Sequence, residues 1–483
     1  MKVKSNNKSR VTALVGAGAA LELCPNDSNF PSTANITKYV INEYPNIIHS
    51  LDSTSSDNTT NSKLVLELYK HLCRTQFPSP VKFFSDESYS LFNFEVLFHI
   101  LELLHSYDKS WNFNEDEYTS SGKYEHFRHD LFSPFAHFIK PSFKYDPIEL
   151  KQVQREYIRR ITDIVNKYDN YFRANKKKSC KWYKDFWSKP NFKWDVFSLN
   201  YDTTIEQSIV KHNDGFKTTK DCKFQVMDLN KLLENKAGYT TINHPHGCIV
   251  YGEKPIGGKS PQTELYNSRD LFKFGNYNDT PRYTSSGNNA QNGQEYYPSP
   301  IITGLDKVEK ITTLPFAAYR MNFEKQIVNN HSLLIVGYSF GDLYINDMIE
   351  RMRLIHGSKQ RIVIIDYWGE VLANYEKGVE VQIKDLRLRN PGITNSEIEH
   401  EKAGYLMDMI KNFAEFENKV QIHEASLIAR AMGRSIWDIT QECVLQDVNA
   451  PLVAKNKQLM LFIRGFKEAV TNHQQEIYNF LQS

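Results

Sequence analysis

Short apolar segments that stop in polar or glycine-containing turns recur along this chain and limit the folds open to it. The segments are Val11–Val15, Trp194–Leu199, Thr240–Ile242, Ser332–Val336 and Arg361–Ile365. The last two consist mostly of Val, Ile and Leu, which is typical of strands buried on both faces of a parallel sheet covered by helices. The pattern therefore predicts an α/β fold with a Rossmann-like parallel sheet.

Helical periodicity fills much of the chain between and after these segments. Apolar residues recur at helical spacing from Phe92 to Leu104 and again over Glu149–Phe172, which predicts a helical insertion over residues 51–189. The sheet would then be built from two separate pieces of sequence, residues 1–50 and 190–380.

Two further segments complete the predicted organisation. Amphipathic patterns predict a helical C-terminal region over residues 381–483, with helices in Gly404–Phe416, Glu424–Ile439 and Gln458–Phe480. Residues 254–300 are rich in Gly, Ser, Asn, Asp and Pro, which predicts a long mobile surface loop.

Composition excludes several classes of partner and compartment. The 483 residues carry a formal net charge of only +2, so direct sequence-specific nucleic-acid binding is not expected. The six cysteines never form Cys-x-x-Cys, which argues against a zinc ribbon or a disulfide framework and favours a reduced cytoplasmic setting. The apolar run Val11–Leu23 is interrupted by Glu22 and ends in bulky Leu23, unlike a signal peptide, and no stretch has the roughly 18 apolar residues of a membrane span.

Residues suited to binding a dinucleotide follow the predicted strands, and in open α/β sheets ligands bind beyond the carboxyl ends of parallel strands. They are the glycine turn Gly16-Ala17-Gly18-Ala19, then Asn200 and Asp202, then His246, then Gly337 and Ser339, then Asp366. Glycines let backbone N–H groups approach phosphate, Asn and Asp bind ribose hydroxyls or a carboxamide, and a histidine takes up a proton near neutral pH.

Each of these motifs has an ordinary structural explanation when taken alone. Gly-Ala-Gly also forms simple tight turns, and Asn200-Tyr-Asp202 is typical of a turn or helix cap. A single histidine such as His246 is often structural, and Asp366 could cap the next helix. The functional interpretation depends on the joint order of the motifs and on their repeated placement after strands.

The order of the first motifs resembles the sirtuin-fold superfamily. Gly16-Ala-Gly18-Ala followed by Pro31-Ser-Thr33 resembles the first motif of that superfamily, with Thr33 among the residues expected to bind NAD⁺. Ser198-Leu-Asn200-Tyr-Asp202 resembles its Asn-x-Asp motif, and His246-Gly247 is similar to its catalytic His-Gly.

The later motifs extend this resemblance toward the other half of the dinucleotide. Gly337-Tyr-Ser339 resembles the Gly-x-Ser that faces phosphate, and Asp366 falls where a polar residue meets the adenine-side ribose. The likeness covers about residues 11–40 and 194–367.

One departure from the family pattern bears on function. Protein deacylases of this fold carry a four-cysteine zinc module after His-Gly, whereas here Cys248 is followed by no cysteine until Cys443, so no zinc is expected. The chain is more similar to the sirtuin-like NAD⁺ hydrolases of bacterial antiphage defence, which have large helical insertions. The resemblance implies NAD⁺ as substrate, Asn200 and His246 as catalytic residues, and water as the acceptor that yields ADP-ribose.

The same resemblance implies an assembly. Toxic NAD⁺ depletion requires restraint at rest, so a homo-oligomer and a protein partner are expected. Partners of such proteins include HerA-type ATPases, Argonaute-like proteins and nucleotide-pyrophosphatase-like sensors.

Two rival functions stay open at the level of sequence. Gly337-Tyr-Ser339-Phe-Gly341 matches the nucleophile elbow of α/β-hydrolases, with Asp366 and either His400 or His423 able to complete a triad. The sheet could alternatively bind NAD⁺ or ADP-ribose without turnover, as a sensor or scaffold, because a fold does not fix a function.

Overall fold

The structure of the chain is a computed structural model. The structure describes residues 9–24, 32–42, 61–77, 79–109, 147–189, 192–218, 224–235, 239–253, 270–281, 288–289, 295–296, 299–303, 311–367, 369–398, 401, 443–444, 451–454 and 457–483. The segments Gly404–Phe416 and Glu424–Ile439, for which helices are predicted, lie outside these residues.

Strands and helices alternate through the described part of the chain. The strands are β1 (Ser9–Val15), β2 (Phe192–Ser198), β3 (His212–Asn213), β4 (Phe216–Thr218), β5 (Phe224–Met227), β6 (Thr240–Asn243), β7 (Tyr251–Gly252), β8 (Phe272–Phe274), β9 (Asn288–Asn289), β10 (Glu295–Tyr296), β11 (Ser332–Val336), β12 (Arg361–Ile365), β13 (Cys443–Val444), β14 (Leu452–Ala454) and β15 (Leu459–Phe462). The α-helices are α1 (Thr33–Asn42), α2 (Asn61–Gln76), α3 (Asp86–Leu91), α4 (Phe94–Lys109), α5 (Pro147–Asn175), α6 (Lys181–Trp187), α7 (Thr204–Ser208), α8 (Leu229–Glu234), α9 (Phe316–Asn329), α10 (Leu343–His356), α11 (Gly369–Arg389) and α12 (Phe466–Gln482).

A nine-stranded sheet organises the described residues, in the order β13-β14-β15-β12-β11-β1-β2-β6-β3. All neighbouring strands from β15 across to β3 are parallel, and β13 and β14 add an antiparallel edge. The prediction of a Rossmann-like parallel sheet is thus confirmed. From β1, the chain's later strands run outward in both directions, through β2 on one side and β11 on the other, so the strand order reverses at β1.

Alternating side chains of the sheet enter two separate cores. In β1, Val11, Ala13 and Val15 pack with α6 and α12, whereas Leu14 packs on the opposite face with α9 and α10. The first core is rich in aromatic rings that meet edge-on or at a tilt, among them Trp187, Trp194, Phe466 and Tyr478. Both faces are therefore covered by helices, as the continuous apolar strands predict.

The described parts of residues 51–189 are helical and pack over one end of the sheet. The core of α1, α2, α4 and α5 continues into residues around Tyr201 and Ile301. At its far end α5 reaches the sheet, because Tyr168 and Phe172 belong to the first core of the sheet. This helical region therefore touches the carboxyl edge of the sheet at several points.

The structure departs in part from two predictions about the rest of the chain. Residues 381–483 are not wholly helical, since Leu459–Phe462 forms β15 and pairs with β12 before α12 begins at Phe466. Residues 254–300 are not wholly a loop, since Phe272–Phe274 forms β8 in a four-stranded antiparallel sheet ordered β4-β5-β8-β7. Both strands are short, of three and four residues, and are set by pairing with other strands, which hydrophobic periodicity does not identify.

Candidate active site

The turns that follow β1 and β11 pack directly against each other. Gly16 N donates to Val336 O at 2.9 Å, and Gly18 N donates to Gly337 O at 2.9 Å. Gly337 has a φ of +57°, and a Cβ at that position would lie 2.1 Å from Ala19 N. The glycines are therefore required by the close approach of two turns, and the amides of Gly16 and Gly18 hold the turns together.

The side chain of Asn200 joins the turn after β2 to the glycine turn. Its Nδ2 donates to Gly16 O at 3.1 Å, and Leu199 N donates to Val15 O at 2.8 Å. Asn200 is half-buried. The turns after β1, β2 and β11 thus form one connected group.

His246 is linked to the helix that follows β11. Its Nε2 lies 2.9 Å from Oδ2 of Asp342, and the other Asp342 oxygen accepts from Tyr344 N at 3.0 Å and Ile345 N at 3.2 Å. A carboxylate can only accept, so Nε2 carries the proton of the neutral ring and Nδ1 keeps the lone pair. The arrangement equips His246 to take up a proton at Nδ1.

The loop that carries His246 is fixed by the segment around Pro300. Cys248 N donates to Pro300 O at 2.9 Å, and Ile302 N donates to His246 O at 2.7 Å. Gly247 adopts a φ of +97°, and a Cβ there would lie 2.2 Å from Pro300 O. The glycine after His246 therefore allows the loop to reverse without displacing the histidine.

A buried pair, Glu206 and His244, lies behind the loop of Asn200. His244 Nδ1 is 3.2 Å from Asn200 O, and its Nε2 is 2.7 Å from Glu206 Oε1. Burial alone would raise the pKa of Glu206, but the His244 ring outweighs it and lowers the pKa to about 2. Burial would likewise lower the pKa of His244, but the Glu206 carboxylate raises it. The two residues therefore form an ion pair, and Nδ1 of the His244 ring donates a hydrogen bond to the Asn200 carbonyl.

The sequence predicts that Asp202 binds substrate. In the structure its side chain hydrogen-bonds to the first residue of α7. It is buried, and its Oδ1 accepts from Thr204 N at 2.9 Å and Thr204 Oγ1 at 2.5 Å at the start of α7. Burial raises its pKa to about 6. These hydrogen bonds stabilise the start of α7, which is the structural role that an Asn-x-Asp turn also suggests.

The remaining sequence-predicted residues lie around this group. Ala17 is exposed and Ala19 buried in the 3-10 turn Ala17–Leu23. Thr33 is exposed at the first turn of α1. Asp366 follows β12, where its Oδ1 accepts from Tyr367 N at 2.8 Å.

Ser339 is exposed in the turn between β11 and α10, where an α/β-hydrolase would place its nucleophile. A nucleophile elbow puts the serine itself in the strained position of the turn. Among the described residues of this turn, the left-handed φ values belong to Gly337 (+57°) and Phe340 (+56°) instead. The geometry therefore does not favour the esterase interpretation, and His400 and His423 lie outside the described residues.

Three residues of this constellation are absent from the sequence prediction: Glu206, His244 and Asp342. Asp342 and His246 are 96 positions apart, and Glu206 and His244 are 38 apart, so spacing gives no sign of their contacts. Only their positions in the sequence indicate a functional role. His244 precedes His246 in the same polar turn, and Asp342 ends the motif after β11.

The parallel sheet, with polar and glycine residues in the turns at its carboxyl edge, defines the chain as an α/β protein of the Rossmann-like class. Residues 195–388 match the SIR2-like domain family, which supports a sirtuin-like family for this chain. No curated protein matches the chain. SIR2-like domains use NAD⁺, so the match suggests NAD⁺-dependent enzymatic activity in general. The match begins inside β2, so it includes Asn200, His246 and Asp342 but not the turn after β1.

Proposed function

We propose that the chain is an NAD⁺ glycohydrolase that cleaves NAD⁺ to nicotinamide and ADP-ribose. What supports the proposal most is the meeting of four strand ends at one edge of the sheet. Asn200 contacts the glycine turn at 3.1 Å, that turn contacts Gly337 at 2.9 Å, and His246 contacts Asp342 at 2.9 Å. The strand order reverses at β1, and such reversals are where open α/β sheets bind dinucleotides.

The proposed reaction uses few groups of the protein. The bond between the nicotinamide nitrogen and C1′ of the ribose breaks, and its electron pair goes to the leaving pyridine ring. A water oxygen bonds to C1′, and the water proton passes to Nδ1 of His246. Asn200 holds the ribose or the attacking water through its amide. General-base help of this kind contributes roughly 10²–10⁴-fold to the rate.

The helical region suits a regulated enzyme. The carboxylate of Asp169 in α5 accepts from both the backbone N and Oγ1 of Thr203 at 2.7 Å, next to the Asn200 turn. A rearrangement of α5 would therefore reach the catalytic turn directly. We infer a toxic effector of antiphage defence acting in the cytoplasm, as a homo-oligomer controlled by a HerA-type ATPase, an Argonaute-like protein or a nucleotide-pyrophosphatase-like sensor.

Product analysis tests the proposed reaction. The purified chain is incubated with NAD⁺, with and without the products of neighbouring genes, and nicotinamide, ADP-ribose and cyclic ADP-ribose are separated chromatographically. We expect nicotinamide and ADP-ribose from the wild type and their loss in Asn200→Ala and His246→Ala. The matched controls are Asn230→Ala and His331→Ala, which replace exposed residues remote from this edge of the sheet.

Thermal melting distinguishes the rival function. Both active-site variants are expected to retain the wild-type melting temperature. NAD⁺ that raises the melting temperature without ever releasing nicotinamide, under any activating condition, would instead identify a sensor. Loss of folding in both variants would show that Asn200 and His246 are structural.

The assembly is tested separately by native mass spectrometry. We expect an oligomer, alone or with the partner protein. A fully active monomer would contradict this part of the proposal.

A further inference from the structure

We propose that Glu206, His244 and Cys248 form a binding site for a transition-metal ion, with Zn²⁺ the best match to their donor atoms. One carboxylate oxygen, one ring nitrogen and the thiol sulfur of these residues all lie within 4.8 Å of one another. The proposal concerns the metal content of the chain and does not depend on NAD⁺ cleavage.

The site is built into the protein interior. The His244 side chain is 1% exposed, the Glu206 side chain 10%, and Cys248 0%. Glu206 Oε2 is buried and has no hydrogen-bond partner among the described residues, although burying an unpaired carboxylate oxygen is costly. A cation bound between these side chains would satisfy that oxygen.

The donor set suits zinc in particular. Zn²⁺ binds thiolate sulfur, imidazole nitrogen and carboxylate oxygen in tetrahedral sites, and three protein ligands leave one position for water. Histidine ligands commonly donate the other ring N–H to a backbone carbonyl, which fixes the orientation of the ring. His244 Nδ1 lies 3.2 Å from Asn200 O and is placed to do this while Nε2 faces the site.

The local charges are compatible with a dication. Ionised Glu206 and Cys248 would neutralise Zn²⁺, and the nearby ammonium of Lys273 already has its own partner, Asp214, at 2.6 Å. Without metal, burial raises the pKa of the Cys248 thiol, so the sulfur keeps its proton. Binding then transfers the Sγ proton and the Nε2 proton of His244 to solvent while sulfur and nitrogen each form a bond to the ion.

Such an ion would organise the catalytic loops without touching substrate. Glu206 belongs to α7, which follows the Asn200 turn, whereas His244 and Cys248 flank His246. One ion would therefore tie together the two loops that carry the proposed catalytic residues. This site uses a single cysteine and differs from the four-cysteine zinc module whose absence the sequence shows.

Metal analysis and cobalt substitution test the site directly. The full-length chain, purified without a metal-affinity tag, is analysed for metals by plasma mass spectrometry and is expected to carry about one zinc per chain. Replacement of zinc by Co²⁺ should produce the near-ultraviolet charge-transfer band of a cobalt–thiolate bond. Cys248→Ser should abolish the band, whereas Cys73→Ser, which removes a buried cysteine in α2, should retain it.

Two results would overturn the proposal. One is wild-type protein that, after dialysis against Zn²⁺, retains no metal and shows no cobalt band. The other is a band that persists in Cys248→Ser, since the thiolate would then lie elsewhere. Because neither readout uses NAD⁺, a failure here and a failure of the proposed hydrolase activity are distinguishable.

Discussion

At the scale of single residues, Asp342 connects the chemistry of His246 to the start of a helix. One of its oxygens accepts from backbone N–H groups of α10 and the other from His246 Nε2. Asp342 thereby sets which ring nitrogen of His246 carries the proton. The proposed base, Nδ1, depends on that choice.

Asp342→Asn is expected to impair catalysis while preserving the fold. Asn still caps the helix through its oxygen. Its NH₂ group would face Nε2 and favour the tautomer that places the proton on Nδ1, where the base is needed. We expect kcat for NAD⁺ cleavage to fall by about 10²-fold or more, in line with the contribution of a general base, with little change in melting temperature.

Asp347→Asn is the matched control for this variant, since Asp347 lies in the same helix and pairs with Arg351 on the surface. Its activity should equal that of the wild type. Full activity of Asp342→Asn would show that the carboxylate does not set the state of His246.

Gly337 gives a second prediction at this scale. Gly337→Ala combines a left-handed φ with a Cβ placed 2.1 Å from Ala19 N, so the turns after β1 and β11 would have to separate. Gly357 has a similar φ of +54° but nothing within 4 Å of its Cβ position, so Gly357→Ala isolates the backbone strain. We expect Gly337→Ala to lower the free energy of unfolding by about 2 kcal/mol more than Gly357→Ala, measured by urea denaturation. Equal losses would mean that the two turns are not in close contact.

At the scale of elements, α5 holds the short helix α7 through Asp169. Its carboxylate accepts from Thr203 N and Thr203 Oγ1 at 2.7 Å and from Gln207 Nε2 at 2.9 Å. Asp169→Ala removes the acceptor of Thr203 N and Thr203 Oγ1, whereas Gln207 Nε2 keeps Thr203 Oγ1 as an acceptor at 2.9 Å. We expect a loss of about 1–3 kcal/mol in the free energy of unfolding and faster hydrogen exchange in the Asn200 turn.

The control is Asp185→Ala, which removes an exposed partner of Lys181 in α6. Its stability should change by less than about 1 kcal/mol. Unchanged exchange at the Asn200 turn in Asp169→Ala would contradict the mechanical link between the helical region and the site.

The small antiparallel sheet contains a buried ion pair between Lys273 of β8 and Asp214, which precedes β4, 2.6 Å apart. Burial would raise the pKa of Asp214, but Lys273, aided by His212, outweighs burial and lowers the pKa below that of a free aspartate. The carboxyl thus contributes stability above its unfolded pKa, and this contribution is lost as pH falls below about 4 toward the folded pKa.

Asp214→Asn should cost on the order of 3 kcal/mol at neutral pH, because it leaves a buried ammonium unpaired, and the loss should shrink in acid. The exposed pair of Asp228 and Lys217, 3.0 Å apart, provides the control: Asp228→Asn should cost less than about 1 kcal/mol. Urea titrations from pH 3 to pH 7 measure both. A loss for Asp214→Asn that does not change with pH would rule out this assignment.

The strands show how far the sequence predicts elements. The sequence predicts strands at Ser332–Val336 and Arg361–Ile365, and the structure has strands with the same bounds. Short continuous runs of Val, Ile and Leu bounded by turns are typical of buried strands. The strand Leu459–Phe462 is equally apolar, but the pattern of Gln458–Phe480 predicts a helix there, because the pairing of this strand with β12 is set by the tertiary fold. The predicted ends of β2 and β6 also indicate that Asn200 and His246 lie at the carboxyl edge of the sheet. Their contacts with Gly16 and Asp342 arise only on folding.

At the scale of the whole molecule, the parallel sheet brings distant turns to one edge and the helical region packs beside them. Among the described residues, none of the helices combines the length and apolar character needed to cross a bilayer. The sequence predicts the central sheet because its signals are local, but it does not predict how α5 contacts the site, because that contact spans 34 positions.

The central claim is that the turns after β1, β2, β6 and β11 bind one molecule of NAD⁺. The most direct measurement is a crystal structure of His246→Ala with NAD⁺, in which cleavage is blocked. We predict the nicotinamide riboside beside Asn200 and position 246, with the pyrophosphate beside the exposed Ala17 and Ser339. NAD⁺ bound elsewhere on the chain, or a riboside out of reach of Asn200, would contradict the account.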